Sequence, residues 1–85
     1  MISKAERKRR NRESIIQHYQ YYLNELEKAY RSNQKISDAY MRLNAFRAGV
    51  MSMRQGGEYA YWQKRFNEAF LEWQEKNKKL MEVHK

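Results

Sequence analysis

Apolar residues recur along this chain at helical spacing in three separate stripes. The first is Ile16, Tyr19, Leu23, Leu26 and Tyr30, with steps alternating between three and four. That alternation places all five on one face of a helix. A second stripe runs Ile36, Ala39, Leu43, Phe46, Val50 and Met53. A third runs Tyr59, Trp62, Phe66, Ala69, Trp73 and Leu80, with Phe70 widening it. Lys76 stands at the one position of that repeat where a core residue is due.

Phase separates the first two stripes. Continuing the first past Tyr30 leads to Asn33, Ser37, Tyr40, Asn44 and Arg47, whereas the second stripe lies one residue earlier. One residue is about 100° around a helix. A turn within residues 31–37 lets both stripes face a single core. Ser37 with Asp38 is the expected cap of the second helix, with Asn33 as the other candidate. Gly56-Gly57 is expected to end that helix, since glycine takes the left-handed conformation of a C-cap. Glu58 then suits a new helix N-terminus. At the other end, Ser3-Lys4-Ala5-Glu6 fits a capping box, so the first helix can begin there.

The expected fold is all-α: an antiparallel three-helix bundle, up-down-up, in one domain. Residues 1–14 form a basic arm, 15–31 the packed part of the first helix, 36–55 the second helix and 58–82 the third. Followed backwards, the first stripe passes through Arg12 and Arg9, so about three turns, or about 15 Å, should project beyond the core and fray when unbound. A dimer in which heptad stripes also pair between chains is the second architecture. Ala45, Ala48, Gly49 and Ser52 form a small-residue strip where a neighbouring helix could approach closely. Lys64/Glu68, Glu72/Lys76 and Glu75/Lys79 are spaced for ion pairs on a solvated face.

Composition narrows the function. Eighty-five residues with no proline and three glycines suit uninterrupted helices and a modest core. The absence of cysteine removes disulfides, thiolate nucleophiles and cysteine-ligated metals. No apolar run approaches a membrane span, and no apolar segment follows the basic N-terminus as a signal peptide requires. The expectation is an intracellular, cytoplasmic protein. His18 and His84 are far apart, no Glu-x-x-His or His-x-x-x-His spacing occurs, and the serines lack a base neighbour. No catalytic residue, metal or cofactor is expected.

Charge supplies the positive signal. Lysine and arginine number 18 against 10 acids, a formal charge of +8, which attracts polyanions. Six of the nine residues from Lys4 to Arg12 are cationic: Lys4, Arg7, Lys8, Arg9, Arg10 and Arg12. They lie all around the helix, where no core stripe needs them, and suit contact with nucleic-acid phosphates. The run Lys8-Arg9-Arg10-Asn11-Arg12-Glu13-Ser14 is superficially similar to the basic region of leucine-zipper transcription factors. It departs from that family because His18 stands seven residues after Asn11, where the signature ends in arginine, and because the heptads carry tyrosines. Sequence-specific major-groove reading is therefore not expected.

The second hypothesis is a protein-interaction module, an adaptor or inhibitor docking an acidic protein surface. Its candidate contacts are Tyr21, Tyr40, Arg47, Arg54, Tyr61 and Arg65, because tyrosine and arginine dominate interface hot spots. Phage and mobile-element accessory proteins offer a compositional analogy for that role. Binding to a membrane surface is disfavoured, since the arm has no apolar face.

Overall fold

The computed structural model describes residues 3–83. Three long helices pack up-down-up: α1 (Lys4–Ser32), α2 (Ile36–Ser52) and α3 (Gly57–Lys76), followed by a short α4 (Lys78–Glu82). Ser3 caps α1, its hydroxyl accepting from the Glu6 amide at 3.2 Å. At 29 residues α1 is about 43 Å long, against about 30 Å for α3. The ring pairs Tyr19–Phe66 at 4.6 Å and Tyr30–Trp73 at 6.2 Å set α1 and α3 parallel, and α2 returns between their ends.

The expected stripes build the core. Tyr19, Leu23, Leu26, Tyr30, Leu43, Trp62, Phe66 and Trp73 are all buried. Aromatic rings dominate it, meeting in tilted and edge-on pairs such as Trp62–Phe66 and Phe46–Phe66. Such arrangements suit the ring quadrupole. Tyr30 and Tyr40 join through their hydroxyls at 3.0 Å. Burial, then the bond to Tyr30, raises the Tyr40 pKa. Burial also raises that of Tyr19, with Arg47 pulling against it.

Several local expectations are corrected. The α1–α2 turn uses neither Ser37 nor Asp38 as cap. Asn33 ends α1 at φ 53°, its N–H bonding the Tyr30 carbonyl, while the Gln34 N–H reaches back to Ala29. Lys35 at φ 54° then opens α2 with no side-chain cap. Two left-handed residues turn the chain within three positions, and asparagine is the type that tolerates that conformation best after glycine.

The glycines start α3 rather than end α2. Helix α2 stops at Ser52, and Met53 leaves the helical path at φ −97°. Met53 is consequently 86% exposed, and Met51, two residues earlier, is the residue that enters the core. Gly56 precedes α3 at φ 60° and ψ −128°, a region that side-chain-bearing residues avoid. Tyr59 sits on the first turn of α3 and is 45% exposed, outside the core.

Helix α3 does not run unbroken to the tail. It breaks at Asn77, which is buried. The Asn77 side chain donates to the Trp73 carbonyl at 2.9 Å while its own amide bonds the same oxygen. That competition for one acceptor turns the chain there. The interruption falls beside Lys76, where the core repeat lapses. Past it, Leu80 and Met81 pack against the core.

Two surface expectations also fail. Ala45, Ala48, Gly49 and Ser52 are exposed, so the small-residue strip faces away from the bundle. A Cβ on Gly49 would meet nothing within 4 Å. None of the three pairs Lys64/Glu68, Glu72/Lys76 and Glu75/Lys79 forms an ion pair among the described residues. Long exposed side chains lose entropy in such pairs and gain little in water.

Candidate nucleic-acid interface

The basic arm is the first two and a half turns of α1. Every residue from Lys4 to Asn11 is exposed, so the arm does stand outside the apolar core. Its base is braced in a way that the hydrophobic pattern does not foretell. The Arg12 guanidinium donates to Glu58 Oε1 at 3.1 Å and lies over the Tyr61 ring at 4.3 Å. Lys8 Nζ sits 3.7 Å from the same carboxylate oxygen. Glu58 belongs to the first turn of α3, where exposed amides and the helix dipole favour an anion. Its carboxyl is held below the ordinary range, first by the Arg12 hydrogen bond and then by the nearby charges of Arg12 and Lys8.

The arm cations therefore divide by role. Lys8 and Arg12 are tied to α3. Arg9 reaches Glu13 at 4.0 Å, one turn along its own helix. Lys4, Arg7 and Arg10 are exposed and have no ion partner among the described residues. Phosphates meeting the arm would find these three first.

Arg65 joins this surface from α3. With Lys8, Arg9, Arg12, Ile16 and Tyr61 it lines a groove of about 450 Å³ between α1 and α3. Arg54 borders a second hollow of about 300 Å³ with Lys8, Asn11 and Arg12. Positive charge thus continues from the arm onto the body on both sides of the α3 N-terminus.

The proposed Tyr/Arg protein interface does not assemble as one patch. Tyr40 turns inward to Tyr30. Arg47 lies 6.0 Å from the Phe66 ring centre, beside Tyr19. Arg54 donates to the Val50 carbonyl near the end of α2 and covers Trp62 at 5.6 Å. These arginines lay their stems and guanidinium planes on the aromatic core and keep their edges in water. Tyr61 is half-buried under Arg12, and it and Arg65 belong to the basic groove. Tyr21 is largely free, 57% exposed and edge-on to Tyr22.

Sequence reasoning missed Glu58 as the brace and Tyr61 as the seat of Arg12. The signal was the pairing of an arginine on a core stripe with an acid at a helix start, but nothing in the sequence joins positions 12 and 58. His18 turns back onto its own helix, its Nδ1–H donating to the Ser14 carbonyl at 2.8 Å. His84 lies outside the described residues. No group of three His, Cys, Asp or Glu side chains among the described residues could hold a metal ion. No helix there is long and apolar enough to cross a membrane. The chain matches no protein-family model, no curated protein and no solved structure.

Proposed function

We propose that this is a non-enzymatic nucleic-acid-binding protein that grips the phosphate backbone with its N-terminal helix. One observation carries the reading: six cations in nine residues stand on an exposed helix whose base is braced by Arg12 on Glu58 and Tyr61. A braced helix offers its charges without the ordering cost that a free tail pays on binding. Lys4, Arg7 and Arg10 supply the outward contacts. Such contacts read phosphates rather than bases, so binding is largely indifferent to sequence.

Fluorescence anisotropy with a labelled duplex and a labelled single strand, at low and moderate salt, tests this. The K4Q/R7Q/R10Q variant keeps the Arg12 brace and removes the outward charges. Salt-sensitive binding by the natural chain, weakened in the variant, supports the proposal. No binding at low salt, or equal binding by the variant, overturns it.

A further inference from the structure

The seam between α1 and α3 is electrically polarised along its length. It is lined by these two helices alone, and it holds two hollows on one line. The first is the basic groove of Arg9, Arg12 and Arg65. The second, about 740 Å³, lies toward the other end of the bundle, between Gln20, Leu23 and Asn24 of α1 and Glu72, Trp73 and Glu75 of α3. On α3 the exposed stripe reads Arg65, Glu68, Glu72, Glu75 at steps of three and four, which is one helical face changing sign. Lys76 at the acidic end and Glu13 at the basic end soften the contrast without reversing it.

The acidic half is unfinished. Glu68, Glu72 and Glu75 have no ion partner among the described residues. Trp73 forms the floor there with Leu23, and it is only 6% exposed. Its indole Nε1 is buried and has no hydrogen-bond acceptor. A buried donor left unpaired is costly. Helix α1 packs closely along α2, whereas α3 meets both of them more sparsely, so the α1–α3 seam is one of the two open sides of the bundle.

We infer that the occupant is a second copy of this chain, docked antiparallel along the seam. A two-fold axis through the middle of the seam, near Ile16 and Ala69, sets the basic half of each copy against the acidic half of the other. One self-complementary face therefore makes two equivalent contacts, the geometry a two-fold dimer requires. From Ala5 to Asn24 the face is about 30 Å long. The half-buried Ile16, Tyr61 and Ala69 supply apolar surface between the charged ends. Charge pairing sets the register at close range, while the formal +8 of each copy opposes association at long range.

Charge swapping tests the pairing without nucleic acid. Sedimentation velocity over a concentration series measures the mass of the natural chain, of E72K/E75K and of R9E/R65E. All four positions are exposed and outside the Arg12 brace, and circular dichroism checks the fold of each variant. The natural chain should dimerise at physiological salt, where the long-range repulsion between two +8 copies is screened and the close seam pairs persist. Each variant alone should be monomeric, because like charges then meet at both contacts. An equimolar mixture of the two should recover the dimer mass, since one copy is then basic and the other acidic along the whole seam. A natural chain that stays monomeric throughout overturns the inference. So does a dimer that survives in either variant, or a mixture that does not re-pair.

Discussion

Arg12 and Glu58 stand 46 positions apart in the chain and meet through a 3.1 Å hydrogen bond. The contact joins the base of the basic arm to the first turn of α3. Tyr61 completes the seat from one turn further along α3. R12A should therefore loosen the arm. The cation–π contact alone is worth about 0.5–1 kcal/mol, so urea unfolding should show a loss of that order. Amides of Lys4–Asn11 should exchange faster, while those of the core should change little.

The brace should also fail in acid. Glu58 has a folded pKa below its ordinary 4.5, with the Arg12 bond as the first cause. A lowered carboxylate stabilises the fold fully above its unfolded value, and that contribution fades as pH falls through the folded one. An NMR titration should show Lys8 and Arg12 shifting together below the ordinary carboxylate range. In E58Q the same resonances should stay flat. Equal titration in E58Q would assign the transition to another group.

Backbone geometry gives a pair of opposite expectations. Gly49 is mid-helix, exposed, and open on the Cβ side. G49A should stabilise the protein by about 0.5–1 kcal/mol, through helix propensity and a less flexible unfolded chain. Gly56 sits at φ 60° and ψ −128°, where a side chain is strained despite open space around it. G56A should destabilise by about 1–3 kcal/mol. Thermal melts of the two variants should move in opposite directions.

Arg54 is expected to act as scaffold. Its guanidinium bonds the Val50 carbonyl near the α2 C-terminus and covers Trp62. R54A should cost about 1 kcal/mol of stability and change Trp62 fluorescence. A variant as stable as the natural chain would show that the arginine is free for a partner.

The sequence carried the bundle but not its junctions. Periodicity located the three stripes because Leu23, Leu43, Phe66 and their neighbours must be buried wherever helices form. The change of phase after Tyr30 located the first turn for the same reason. What failed were features decided by local backbone chemistry. Asn77 breaks α3 through a bond to a carbonyl one turn back, and Lys35 adopts a left-handed conformation that its residue type does not signal. At the candidate site the cationic run was legible because charge density needs no fold to be seen. The division of that run into braced Lys8 and Arg12 and outward Lys4, Arg7 and Arg10 was not, because it depends on where Glu58 arrives. Tyr40, Arg47 and Arg54 looked like contact residues because arginine and tyrosine also finish a small aromatic core at its edge.

The central claim is that phosphates are held by the outward cations of the arm. The most direct measurement is the slope of log K against log salt for duplex binding, in the natural chain and in K4Q/R7Q/R10Q. Each phosphate contact contributes about −0.9 to that slope, so losing three should flatten it by roughly 2.7. A clear negative slope that flattens by about this amount is the predicted result. An unchanged slope, or no measurable binding at the lowest salt, would contradict the account.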